Sequence, residues 1–128
     1  MHRPEQKLHI SVVAFLGRAL PPEIVLFHPA NGGKRTKPEA SLLKAMGVLP
    51  GVPDLVAIMP NGQAAFIELK APGGQLSPEQ AAVRTKLLAA GCAYAVCRTL
   101  DEVEATITRW LAAFGLKPRA SLIRGRAR

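Results

Sequence analysis

Cysteine is scarce: Cys92 and Cys97 are the only two in 128 residues. On a strand their odd spacing points the thiols to opposite faces, so they cannot bridge each other. That excludes a disulfide scaffold, and two apolar-flanked thiols fit a reducing compartment as small core residues. His2, His9 and His28 add no ligand spacing that would complete a zinc site. Aromatics are few as well: one Trp, one Tyr and four Phe, mostly at core spacing. A surface that stacks unpaired bases is therefore not expected. No apolar run approaches the ~18 residues of a membrane span. The opening MHRPEQKLH also lacks a signal peptide's apolar stretch. The expectation is a cytoplasmic protein with no membrane partner. Acidic residues are the last shortage, 9 Asp+Glu against 17 Lys+Arg.

That imbalance gives a formal net charge of +8 and an isoelectric point near 10.2. So large a charge suits a polyanionic partner, most commonly nucleic acid, although a merely basic protein carries the same sum. The last twelve residues hold five cations (Lys117, Arg119, Arg124, Arg126 and Arg128) and no acid. This tail, 117–128, reads either as a mobile arm that binds phosphate backbone or as a solubilising end. With 48% apolar and 20% charged residues the chain is globular. Residues 1–116 are expected to form one domain with a single modest core.

Helix and strand signals alternate along the chain. Pro4 and Glu5 suit a first helical turn, and Leu8, Val12, Phe15, Leu16 and Ala19 follow at helical spacing until Pro21-Pro22 ends the run. Residues 23–28 (EIVLFH) predict a strand closed by Pro29 and Asn31-Gly32-Gly33. Thr36 and Glu39 form a capping box before a short helix that stops at Gly47. Residues 54–59 and 64–70 predict a hairpin around Pro60-Asn61-Gly62-Gln63. A three-residue loop there pairs Met59 with Gln63 and sets Asp54 opposite Glu68; a two-residue Asn-Gly loop would set Asp54 opposite Leu69, on the wrong face. The turn chemistry allows both, and the chemistry of the strand favours the first. Ser77, Pro78 and Gln80 start a helix that stops at Gly91, residues 92–98 predict a buried strand, and Thr99 with Glu102 caps a last helix. The order is helix, strand, helix, strand, strand, helix, strand, helix. It implies an α/β sandwich, one mixed sheet with helices on both faces.

Within residues 64–70, alternation puts Phe66, Glu68 and Lys70 on one face and Ala65, Ile67 and Leu69 on the other. Opposite charges on an apolar strand are costly unless something binds them. With Asp54 on the neighbouring strand, two carboxylates and a lysine make a site for a hard divalent cation and its bound water. A structural Asp beside a surface Glu–Lys strand would give the same bare triad.

The longer motifs are more specific. Gly51-Val52-Pro53-Asp54-Leu55, Phe66-Ile67-Glu68-Leu69-Lys70 and Gly74-Gln75-Leu76-Ser77-Pro78-Glu79-Gln80 together resemble the virus-type replication-repair nuclease (VRR-NUC) branch of the PD-(D/E)XK superfamily. The resemblance runs roughly from residue 5 to residue 111. It implies a restriction-endonuclease-like α/β sandwich and a nuclease that uses Mg²⁺ or Mn²⁺. By this resemblance Asp54 and Glu68 are metal carboxylates, the Leu69 backbone carbonyl is a further ligand, Lys70 is the catalytic lysine and Gln80 the active-site glutamine. Glu5 matches an acid of the first helix, either near the metal or simply favouring the helix dipole. Gln80 has a rival role as the capping partner of Ser77. The stretch 28–37 (HPANGGKRTK) offers Lys34, Arg35 and Lys37 to phosphates, as the tail offers Arg124, Arg126 and Arg128.

The expected activity is endonucleolytic cleavage of duplex or branched DNA, a Holliday junction included, in phage or bacterial replication or repair. A non-catalytic nucleic-acid-binding module on the same fold is the alternative. Family likeness also implies a homodimer, with Val13 and Leu20 of the first helix or the apolar 48–53 loop (VLPGVP) as candidate contact surfaces.

Overall fold

The first helix, α1 (Arg3–Ala19), carries Glu5 in its first turn and Arg18 in its last, each placed to favour the helix dipole. Its inward stripe of Val12, Phe15, Leu16 and Ala19 is buried. The computed structural model describes residues 3–30 and 35–122. Strand β1 (Val25–Phe27) is shorter than the residues 23–28 that its composition suggests. Helix α2 (Lys37–Ala45) opens on the Thr36/Glu39 capping box, and Gly47 follows it at φ 100°. Strands β2 (Leu55–Ile58) and β3 (Ala64–Leu69), helix α3 (Pro78–Ala89), strand β4 (Ala93–Cys97) and helix α4 (Leu100–Ala112) complete the expected order.

The sheet order is β1-β2-β3-β4. The first two pairings are antiparallel and β3–β4 is parallel, with α3 as the crossover that a parallel pair requires. Register separates the two faces. Leu55, Ala57, Ala65, Ile67, Leu69 and Cys97 join α1 and the Val103, Ile107 and Leu111 stripe of α4 in one core. Full burial of each large side chain there contributes about 1.5–3 kcal/mol. Val56, Phe66 and Tyr94 align in a row on the other face, followed by Glu68 beside Val96. Helix α3 packs against β4, and its Arg84 lies over the Tyr94 ring, 5.7 Å from the centroid. The expected sandwich with a mixed sheet is observed.

Helix α2 differs from that scheme. Among the described residues it buries no side chain and packs against no other element, and its Leu42 and the adjoining Met46 are exposed, as is Leu49 just beyond. The reverse holds for Leu20, expected on a contact surface: it lies in the core at 6% exposure, because the chain bends at Pro21 and turns that side chain inward. Cys97 is buried, with its sulfur 3.6 Å from the Thr106 hydroxyl, and both cysteines are free. Residues 117–122 follow the body of the molecule. The Arg119 amide donates to the Ala19 carbonyl at 2.7 Å and its Nε to the Leu20 carbonyl at 2.9 Å, while the Leu122 amide donates to Glu104. Among the described residues no helix is long and apolar enough to cross a membrane.

Candidate functional site

The β2–β3 turn sets the site. Met59 and Gln63 pair through the Met59 amide, which donates to the Gln63 carbonyl at 2.9 Å, and Gly62 takes φ 88°. The Asn61 side-chain oxygen accepts from the Gln63 amide and fixes the turn. This is the three-residue loop, and Leu55 accordingly faces Ile67. One step further along the ladder Asp54 comes opposite Glu68, as the favoured register requires. The Asp54 carboxylate reaches across to accept from the Leu69 amide at 2.7 Å. Leu69 thus gives its side chain to the core and its amide to the site.

Glu68 is nearly inaccessible at 2% exposure. Its Oε2 accepts from Gln80 Nε2 at 3.1 Å and lies 3.8 Å from Lys70 Nζ. Burial and the charge of Asp54 push the Glu68 carboxyl up to about 8, against a downward pull from Lys70; a hydrogen bond with Asp54 and the charge of Glu5 raise it further. Gln80 fills both of its expected roles at once. Its side-chain oxygen accepts from the Ser77 amide, closing the capping box at the start of α3, while its NH₂ group reaches Glu68. Glu5 stands near by through α1, its Oε2 accepting from the Ala71 amide at 3.4 Å.

Gly51 explains how α3 can come so close. It sits at φ 90°, and a Cβ there would lie 2.5 Å from the Glu79 carbonyl oxygen and 2.8 Å from the Gln80 amide nitrogen. Only a residue without a side chain lets the loop before Asp54 touch the first turn of α3. Beyond β3, Pro72-Gly73 makes a tight turn closed by the Gly74 amide on the Ala71 carbonyl, with Gly73 at φ 81°.

Two residues set aside in the sequence stand beside the carboxylates. His28 Nδ1 lies 2.6 Å from the Asp54 carbonyl oxygen, and since a carbonyl only accepts, Nδ1 carries the proton. The buried His9, one turn after Glu5 on α1, meets the His28 ring edge to face at 4.5 Å. Burial and the neighbouring His28 hold His9 below the ordinary imidazole range, partly offset by Asp54. The helical spacing of Glu5 and His9 was the available signal, but His28 joins them only through the fold.

Of the expected phosphate contacts, Arg35 is exposed, donates to the Ala30 carbonyl at 3.5 Å and lies near Glu39, and Lys37 is an exposed first residue of α2. Lys34, Arg124, Arg126 and Arg128 lie outside the described residues. Among those described, no three His, Cys, Asp or Glu side chains converge as a ready metal cage. The donors present are nonetheless those a hard cation takes. Burial, and then the charge of Asp54, raise Glu68 far enough to favour its protonated form at neutral pH, and water can complete the shell of an ion such as Mg²⁺.

Comparison with known families matches residues 6–100 to the VRR-NUC domain. No curated protein matches the chain. A solved structure described as a VRR_NUC domain protein aligns with a TM-score of 0.69 and 22% identity, over 88% of this chain and 91% of that one. At that identity the likeness speaks for the fold, and the family rests on the domain match. With three quarters of its length inside that match, the chain belongs to the VRR-NUC family, a branch of the PD-(D/E)XK nucleases.

Proposed function

We propose that the chain is a divalent-metal-dependent endonuclease that hydrolyses DNA phosphodiester bonds, selective for branched or junction DNA in phage or bacterial replication or repair. The observation that carries this reading is the meeting of the Asp54 carboxylate, just before β2, with Glu68 of β3, with Lys70 and Gln80 both converging on Glu68. Asp54 and Glu68 would hold Mg²⁺ or Mn²⁺, with the Leu69 carbonyl as a further ligand and Glu5 acting through water. When bound, the cation would polarise the phosphate and acidify a water molecule.

The remaining steps fall to the chain's own groups. Lys70 orients the attacking water and offsets charge as its oxygen bonds to phosphorus and the bond to the leaving oxygen breaks. Gln80 holds Glu68 in the conformation that faces the cation. Lys34, Arg35 and Lys37, with Arg124, Arg126 and Arg128 of the tail, contact backbone phosphates. Phe15 lies in the core and Trp110 and Phe114 pack against it, whereas Phe27 is exposed and Phe66 and Tyr94 lie on the sheet face of Glu68; with so few rings available for stacking, duplex or branched DNA is the substrate proposed. Cutting both strands of such a substrate is the reason to expect two copies acting together.

The test is incubation with plasmid, flap and four-way-junction DNA in Mg²⁺, in Mn²⁺ and in EDTA. Cation-dependent cleavage with preference for the junction is expected. Cleavage of none of them in any cation leaves a non-catalytic nucleic-acid-binding module as the reading.

A further inference from the structure

Arg98 lies just beyond β4, next to Lys70 across the parallel ladder. Leu69 faces Cys97, and the Lys70 amide donates to the Cys97 carbonyl at 3.1 Å. Alternation along β4 therefore gives Arg98 the face that carries Tyr94 and Val96, which is also the face of Glu68 and Lys70. Its guanidinium does not trail into solvent. Nη2 donates to the Gly74 carbonyl at 2.8 Å, in the Pro72-Gly73 turn that folds back over Lys70. A Cβ on Gly74 would sit 3.6 Å from Lys70 Cβ, so that turn holds the guanidinium close to the lysine stem.

Among the described residues no carboxylate forms an ion pair with the Arg98 guanidinium. Glu68 is already paired with Lys70, at 3.8 Å. Glu102, four residues on, accepts from the Arg98 backbone amide. A half-exposed guanidinium fixed at one edge and unpaired at the other, one strand away from the carboxylate pair, is built to receive an anion.

From this geometry we infer that Arg98 forms an anion subsite for a nucleic-acid phosphate adjacent to the one cleaved, with the Gly74 carbonyl holding the guanidinium in place. The inference rests on the nuclease reading and deepens it. The Lys34–Lys37 segment and the tail would supply remote attraction, whereas Arg98 would set where the strand lies over Glu68. Phosphate is the ligand class because a planar guanidinium offers paired donors to it, and because the scissile group must lie within one strand spacing.

The competing role for Arg98 is that of a staple holding the 71–77 turn to β4. R98Q separates the two, since its amide can still donate to the Gly74 carbonyl but carries no charge; R98K keeps the charge and loses the fork. Binding of labelled duplex and junction DNA would be measured in Ca²⁺ across a salt series, beside thermal denaturation. R98Q is expected to bind on the order of tenfold more weakly and to flatten the slope of log K against log salt by about 0.9, with R98K restoring the slope. In Mg²⁺ the R98Q defect should fall mainly on KM. An unchanged salt slope in R98Q, with the wild-type protein binding DNA, overturns the subsite and leaves the nuclease reading intact. A wild-type protein that binds neither DNA overturns both. If R98Q melts early, the slope of R98K decides: one equal to wild type supports the subsite, and a melting loss in both variants without any change of slope assigns Arg98 to the staple alone.

Discussion

Burial penalises the charged form of Glu68, the neighbouring Asp54 carboxylate repels it as well, and both favour a proton on Glu68. With Glu68 raised from its ordinary 4.5 to about 8, the folded protein binds one more proton than the unfolded chain between those values. The metal-free protein is therefore expected to lose stability as pH rises from about 4.5 to about 8. Melting in EDTA across that window should show a downward slope that E68Q lacks, and equal slopes would remove Glu68 as its source. In catalysis, D54A, E68A and K70A are each expected to abolish cleavage while leaving folding and DNA binding largely in place, because these groups serve the cation and transition state more than ground-state affinity. Near-wild-type rates for E68A would refute the assignment. The triad was legible because alternation along β3 and the neighbouring Pro53-Asp54 need only local pattern. His9 and His28 were not, since nothing in the spacing of two histidines nineteen positions apart says that a helix and the residue just past β1 will bring their rings to 4.5 Å.

At the scale of elements, the hairpin register could be reasoned out because two turn geometries were possible and just one placed both carboxylates on the same face. The capping boxes of α2 and α3 were equally readable, each being a local contract between four residues. The isolation of α2 was not. Leu42 and Met46 are four apart, as on any core-facing helix, and the absence of a partner for them is a property of the whole fold. Gly51 is the element-level link between the loop before Asp54 and the first turn of α3. G51A would force a left-handed alanine and a backbone overlap together, and is expected to cost about 1–3 kcal/mol. Because the overlap lies at Glu79 and Gln80, kcat should fall further than the melting loss alone explains. A variant that melts early but cleaves normally at low temperature would mean that Gln80 does not depend on this contact.

Taken as a whole molecule, the excess of positive charge includes Arg119, which the body holds through two carbonyls, and Arg124, Arg126 and Arg128, which lie outside the described residues. Truncation after Leu116 would remove Arg119 and Leu122, which tie the chain to the end of α1 and to Glu104, so melting should suffer along with DNA binding. Truncation after Leu122 keeps those ties and removes three of the tail's five cations, Arg124, Arg126 and Arg128; it should flatten the salt slope. An unchanged slope would make these three cations bystanders. Assembly is the remaining question at this scale. One chain offers one candidate site, two cuts are needed to sever a duplex or resolve a junction, and closed two-fold symmetry is the commonest way to pair sites. With Leu20 committed to the core, exposed apolar side chains remain on α2 and the loop after it (Leu42, Met46 and Leu49), on α1 (Ile10 and Val13), on β1 (Val25 and Phe27) and at Leu88 of α3; those of α2 are the most exposed set. A dimer through α2 would cover side chains that the monomer leaves in water, and an interface of ordinary size would be saturated at micromolar concentration. Sedimentation there should give twice the 13.7 kDa chain mass, and L42D with M46D should return it to the single mass while leaving melting of the monomer little changed, since neither side chain is buried in it. A monomer mass for the wild-type protein would leave nicking as the activity to look for.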